Sequence, residues 1–207
     1  MAWQRWGRAS RRSFLIGGTA WMGSIGIGPA AAKPAQKDVE ALLREHRVPA
    51  VGVAVFERGR ITLEETYGRQ KARGDPATPE TRFQAASLSK TANALCVLSL
   101  VRDGKLDLDE PVNQSLINWQ LTGDGAERVT ARMLLSHTGG TTVHGFAGYE
   151  RDDVIPSVLN VLNGRTPANS QRVVVDAPPG RKFRYSGGGV TILQQLVTDI
   201  EMASYHD

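Results

Sequence analysis

Hydrophobic residues in the first half of the chain follow two different periods. Residues 38–47 carry apolar side chains at positions i, i+3 and i+4, which predicts an amphipathic helix. After Pro49, residues 51–56 form an apolar and largely β-branched run, and residues 61–67 form a second extended run behind a turn at Gly59. Two such runs joined by a short glycine-containing turn predict a β-hairpin.

The second half of the chain is dominated by helical patterns. The longest predicted helix spans Ser87–Arg102, is apolar on nearly all sides and ends before Gly104. A helix of this kind is expected at the centre of a core. Residues 69–81 carry glycine and proline and are predicted to be a loop.

Shorter elements follow this helix. Thr130 is predicted to cap a short helix that ends at Leu135, and Asp152 or Asp153 to begin another that continues to Gly164. Further predicted elements are a short extended piece at 173–175, a turn at 178–180 and a helix at 190–200. One hairpin among several helices predicts an α+β fold.

The net charge of +4 arises entirely from the N-terminal segment. The first 32 residues hold four arginines and no acidic residue, so residues 33–207 carry 21 basic and 21 acidic groups. Nucleic-acid affinity depends on clustered lysine and arginine, so the balanced charge argues against a nucleic-acid partner. The single cysteine, Cys96, excludes an internal disulfide and a cysteine-rich zinc site.

Residues 1–32 are predicted to be a signal peptide. An uncharged run follows the arginines, and Ala30 and Ala32 form an A-x-A cleavage site, which places the mature start at Lys33. Ser10-Arg11-Arg12-Ser13-Phe14-Leu15 resembles the bacterial twin-arginine export signal. The predicted location is therefore periplasmic or extracellular, with only transient membrane contact. The alternative is a transmembrane anchor, since residues 13–32 approach the roughly 20 residues needed to span a bilayer.

The tetrapeptide Ser87-Leu88-Ser89-Lys90 carries the candidate chemistry. Residues i and i+3 are neighbours on a helix, so the Lys90 amine is expected beside the Ser87 hydroxyl. Burial of the lysine would favour its neutral form, which can act as a base toward the serine. The alternative for the tetrapeptide alone is a serine cap followed by a solvated lysine.

Three further segments accompany this tetrapeptide in a fixed order. They are residues 103–112 (DGKLDLDEPV), 133–140 (MLLSHTGG) and 179–189 (PGRKFRYSGGG). Together they resemble the serine β-lactamase and penicillin-binding-protein superfamily, in particular the branch of class C β-lactamases, D-alanyl-D-alanine carboxypeptidases and related esterases. The resemblance covers roughly residues 38–200. It implies a β-lactamase/transpeptidase-like α+β fold, in which helices pack on an antiparallel sheet and this chain supplies only the N-terminal hairpin.

The resemblance also implies catalytic roles. Ser87 matches the family nucleophile, Lys90 the activating lysine and Tyr185 the tyrosine that relays protons. The alternative for Tyr185 is an ordinary loop tyrosine beside a glycine-rich turn. The resemblance implies no cofactor and no metal, and His144 and His206 have no partner pattern that indicates one. The expected substrates are a small ester, a β-lactam or a peptidoglycan-derived peptide.

Two departures from the family pattern stand out. Gly187 occupies the position where the family has an asparagine that contacts the substrate's amide, which favours ester over amide cleavage. The family's third motif, Lys-Thr-Gly or His-x-Gly on a C-terminal strand, is not found at the corresponding place, and His137-Thr138-Gly139 is interpreted as a structural turn. Residues 33–207 are therefore expected to be a truncated domain. The alternative to an active hydrolase is an inactive or cell-wall-binding relative, and the sequence does not indicate an oligomeric state.

Overall fold

A computed structural model describes residues 35–71, 73–150 and 152–205 of the chain. The chain divides into two compact units, Met1–Gln84 and Ala85–Asp207. The predicted signal peptide, residues 1–32, and His206 lie outside the described residues. In the part of the chain that is described, no helix is long and apolar enough to cross a membrane.

In its described residues, 35–71 and 73–84, the first unit contains one helix and one hairpin. Helix α1 (Gln36–Glu45) precedes strands β1 (Ala50–Glu57) and β2 (Arg60–Gly68), which pair in antiparallel orientation. Both loop residues, Arg58 and Gly59, have positive φ, as the type I′ hairpin turn requires. The predicted helix and hairpin are thus confirmed, with the helix beginning two residues earlier than expected.

The second unit is helical in its described residues. Its α-helices are α2 (Ser89–Arg102), α3 (Ala131–Leu135), α4 (Val158–Asn163) and α5 (Gly187–Glu201). Short 3₁₀ turns lie at Ala86–Leu88, Val112–Gln114 and Ala126–Arg128. Helix α5 packs against the other three α-helices. The core that they enclose includes the fully buried side chains Val97, Leu134, Leu162, Ile192, Leu193 and Leu196.

Local signals placed most of these helix ends correctly. The Thr130 side chain accepts a hydrogen bond from the Met133 N–H and caps α3, as predicted. Gly164 ends α4 in the left-handed conformation, which a residue without a β-carbon adopts without strain. The extended piece around Val175 forms isolated bridges to Gly123 and Thr141.

The prediction that α2 lies at the centre of a core is wrong, because only one face of the helix is buried. Its buried residues are Asn93, Val97 and Leu100, which lie on one face, whereas the Leu95 side chain is 62% exposed and Leu98 is also exposed. The hydrophobic pattern identifies side chains that are able to be buried. It does not determine which elements pack on each face of the helix.

The predicted start of α4 at Asp152 or Asp153 is also wrong. The helix begins at Val158, and the Ser157 side chain accepts a hydrogen bond from the Asn160 N–H as its cap. Pro156 disfavours helical geometry at the residue before it, so the helix starts behind the proline and leaves Val154 exposed.

Candidate active site

Ser87 lies in a short 3₁₀ turn that leads directly into α2, and its side chain is exposed. Ala86, immediately before it, has φ 45°, a left-handed conformation that costs a residue with a β-carbon about 1–2 kcal/mol. Strain of this kind is found preferentially at functional sites. The position at the N-terminus of α2 also favours negative charge that develops on the Ser87 oxygen.

Lys90 occupies the first turn of α2. Its Nζ donates a hydrogen bond to Ser87 Oγ at 3.3 Å, so the side-chain proximity expected from the i, i+3 spacing is confirmed. The lysine is only partly buried, which differs from the buried lysine that the sequence interpretation assumed. Its effect on the site therefore comes from its position beside Ser87 and Tyr185.

Tyr185 reaches the same hydroxyl from a distant part of the sequence. Its Oη lies 2.9 Å from Ser87 Oγ, within hydrogen-bond distance, and Lys90 Nζ lies 5.2 Å from the centre of its ring. The pKa of Tyr185 is lowered below its usual value because neighbouring groups stabilise the phenolate. The Lys90 amine has the largest effect, and the Ser87 hydroxyl has the second largest. The structure thus brings all three sequence-predicted side chains together.

The segment that carries Tyr185 is anchored on both sides. The Arg184 guanidinium donates to the Gly140 carbonyl at 2.6 Å and forms an ion pair with Asp176. On the other side Ser186, which is buried, caps α5 by accepting a hydrogen bond from the Gly189 N–H at 2.9 Å. Tyr185 therefore lies between two fixed neighbours, and its hydroxyl points to Ser87.

Two histidines that the sequence interpretation did not place in the site flank Tyr185. The His137 and Tyr185 ring centres are 4.4 Å apart, and those of His144 and Tyr185 are 5.1 Å apart. The Tyr185 carbonyl also accepts a hydrogen bond from His144 Nδ1 at 3.2 Å. His137 does lie in a turn, as predicted, but this turn packs on the candidate site. No local signal joins residues so far apart in sequence.

Gly187, where the resemblance leads one to expect asparagine, is closely surrounded. A β-carbon there would lie 3.1 Å from Phe146 Cε2 and 3.3 Å from the His144 carbonyl oxygen. Both distances are shorter than ordinary van der Waals contacts, so any side chain requires the segment His144–Phe146 to shift. The tight packing gives a structural reason for glycine at this position.

No group of three or more His, Cys, Asp or Glu side chains able to hold a metal ion occurs within residues 35–71, 73–150 and 152–205. The arrangement that is present consists of a hydroxyl, a phenol and an amine in mutual contact. A hydroxyl that accepts a hydrogen bond from an amine and lies 2.9 Å from a phenol oxygen able to take up its proton has the geometry of an activated nucleophile.

Comparison with known proteins identifies the family. The sequence profile of the family described as Beta-lactamase matches residues 35–206. The chain is 25% identical over 174 residues to protein flp of Staphylococcus aureus strain N315, covering 82% of this chain and 33% of flp. It is 29% identical over 174 residues to penicillin-binding protein 4 of Amycolatopsis lactamdurans, covering 83% of this chain and 44% of that protein.

A solved structure shares the fold. The octameric penicillin-binding protein homologue from Pyrococcus abyssi superposes with a TM-score of 0.65 at 24% identity, covering 82% of this chain and 39% of that chain. The chain belongs to the beta-lactamase family, and its helices and two-stranded antiparallel sheet form part of a β-lactamase/transpeptidase-like fold. It spans about a third of the length of the flp proteins that it matches.

Proposed function

We propose that this chain is a serine hydrolase that cleaves an ester or an amide through an acyl intermediate on Ser87. One observation carries the proposal: Ser87 Oγ lies within hydrogen-bond distance of both Tyr185 Oη and Lys90 Nζ. Membership of a family named after enzymes that hydrolyse a cyclic amide supports the same reaction class.

The proposed reaction has two stages. In the first, Ser87 Oγ bonds to the substrate's carbonyl carbon while its proton passes to Tyr185, and the bond to the leaving group breaks as that group takes up the proton. In the second, a water oxygen bonds to the acyl carbon while Tyr185 takes up one of the water's protons. The bond from the acyl carbon to Ser87 Oγ then breaks as Tyr185 returns that proton to Oγ, and the acid product leaves. Lys90 favours the phenolate form of Tyr185 throughout, because its amine lowers the pKa of the phenol.

The proposed substrates are small esters, β-lactams or peptidoglycan-derived peptides, with esters preferred. Glycine at position 187 offers no side-chain amide to a substrate's amide group, and the close contact with Phe146 leaves little room for one. A cell-wall-binding relative without turnover is the alternative function. It would bind the same ligands and leave Ser87 unmodified.

Hydrolysis of p-nitrophenyl butyrate and nitrocefin by the purified full chain tests the proposal. We expect turnover of the ester above the uncatalysed rate, weaker turnover of the β-lactam, and loss of both in Ser87→Ala. Ser89→Ala is the matched control, because Ser89 belongs to the same motif but lies at the start of α2 with no proposed role. A folded protein with no turnover of either substrate favours the binding alternative.

We further propose that residues 1–32 direct export through the twin-arginine route. The paired Arg11 and Arg12, followed by Phe14 and Leu15, support this export route and therefore a periplasmic or extracellular location. Replacing both arginines of the pair by lysine is expected to retain the protein in the cytoplasm, whereas the same change at Arg5 and Arg8 is expected to leave export intact. Export of both variants to the same extent would contradict the proposed route.

A further inference from the structure

The His137 residue contacts the Tyr185 segment at three points. Its carbonyl accepts a hydrogen bond from the Arg184 N–H at 2.7 Å, and its Nδ1 accepts one from the Ser186 N–H at 3.3 Å. Between these two bonds its ring packs on the Tyr185 ring, with an angle of 36° between the ring planes. One histidine therefore contacts three consecutive residues, of which the middle one bears the phenol that faces Ser87.

The hydrogen bond to Nδ1 specifies the protonation state of His137. A backbone N–H can only donate, so Nδ1 must offer its lone pair, and the ring is neutral with its proton on Nε2. Burial lowers the pKa of His137, and the charges of Lys90 and His144 lower it further. The titratable or charged groups that face this ring are thus Lys90 on α2, His144 on the loop after Thr142, and Tyr185 before α5.

We propose that neutral His137 is a positioning residue, which holds the Tyr185 hydroxyl in hydrogen-bond distance of Ser87. The inference rests on the proposed hydrolase function. When His137 takes up a proton, Nδ1 becomes a donor that faces the Ser186 N–H, and this hydrogen bond is lost. The new positive charge also lies close to Lys90, which opposes the packing of the His137 ring on Tyr185. The anchors at Arg184 and Ser186 remain, so the Tyr185 hydroxyl is expected to lie in hydrogen-bond distance of Ser87 for a smaller fraction of the time.

The direction of the pH dependence follows from the lowered pKa. The unfolded chain binds a proton at His137 at higher pH than the folded chain does. The contribution of His137 to stability is therefore fully present above the usual histidine pKa of about 6.5 and is lost as the pH falls through the lower folded value. Acylation of Ser87 is expected to decline over the same range.

The variant His137→Asn separates positioning from titration. Asparagine tolerates the φ of 56° found at position 137, and its Oδ1 can accept the Ser186 N–H, but it does not titrate. We expect this variant to acylate with a fluorophosphonate probe within about tenfold of the wild-type rate at neutral pH. Its rate should then lack the acidic decline attributed to His137. His46→Asn, at an exposed histidine after α1, is the control and should retain that decline.

Nuclear magnetic resonance supplies a readout that does not require activity. Imidazole ¹⁵N shifts should show His137 protonated on Nε2, with a pKa below 6.5, and the Tyr185 ring signals should shift with the same midpoint in the wild type but not in His137→Asn. A His137 that titrates at or above 6.5, or Tyr185 signals that do not follow it, would overturn the inference. If the His137 and Tyr185 signals shift together but the probe never acylates Ser87, the hydrolase proposal is refuted and the positioning of Tyr185 by His137 stands.

Discussion

Tyr185→Phe removes the group nearest to the proposed nucleophile and leaves its surroundings in place. The Tyr185 hydroxyl is 2.9 Å from Ser87 Oγ, compared with 3.3 Å for Lys90 Nζ. A positioned acid or base contributes about 10²- to 10⁴-fold to a rate. At about 1.4 kcal/mol for each factor of ten, the variant is expected to raise the acylation barrier by roughly 3–5 kcal/mol.

The fold is expected to tolerate this change. The ring remains packed between His137 and His144, and the hydroxyl that is removed makes its hydrogen bond to Ser87 in an exposed part of the site. No buried donor or acceptor is left unpaired, so the free energy of unfolding should change by no more than about 1 kcal/mol. The expected result is a slow but stably folded protein.

The assay is the second-order rate constant for acylation by a fluorophosphonate probe, measured together with urea unfolding. Tyr149→Phe serves as the matched control, because its hydroxyl accepts a hydrogen bond from the Asn169 N–H and has no contact with Ser87. An acylation rate in Tyr185→Phe within about threefold of the wild type would refute the assigned proton relay, since a relay group contributes at least about a hundredfold.

Two further predictions concern the scaffold of the second unit. Asp199 is buried and accepts hydrogen bonds from two backbone N–H groups at 2.8 and 3.2 Å and from two side-chain amides at 2.6 and 2.8 Å. Asp199→Ala should therefore lower the free energy of urea unfolding by about 3–5 kcal/mol, whereas Asp103→Ala, at an exposed ion pair, should change it far less; equal effects of the two substitutions would contradict the stabilising role given to Asp199. Gly140 has a φ of 68°, and Gly140→Ala would place a β-carbon 2.0 Å from the Ala177 carbonyl oxygen. Gly104 has a similar φ of 70°, but a β-carbon added there would have no atom within 4 Å. At Gly104 the positive φ alone should lower the free energy of unfolding by roughly 1–2 kcal/mol. Thermal unfolding should show a larger decrease for Gly140→Ala, and equal decreases would contradict the steric argument.

Local sequence signals predicted the elements of this chain well because they act over a few residues. The cap at Thr130, the stop at Gly164 and the turn at Gly59 each depend on neighbouring backbone groups. The start of α4 differs from the one predicted at Asp152 or Asp153 because Pro156, which follows both aspartates, disfavours helical geometry at the residue before it. Such errors concern the ends of an element and leave its existence unchanged.

Burial and the composition of the site depend on contacts between distant residues. The pattern of α2 did not reveal that Leu95 and Leu98 would be exposed, because burial depends on the elements that pack against each face. Ser87 and Lys90 are close by helix geometry, and the family resemblance suggested Tyr185. His137 was interpreted as a turn residue, and only the folded chain reveals that its ring lies 4.4 Å from that of Tyr185.

The central claim is that Ser87 forms a covalent acyl intermediate. Intact-mass measurement after treatment of the full chain with a fluorophosphonate probe, followed by peptide mapping, tests it most directly. The account predicts one adduct per chain on Ser87, absent from Ser87→Ala and unchanged in Ser89→Ala. A correctly folded chain that stays unmodified, or that carries its adduct on another residue, would contradict the account.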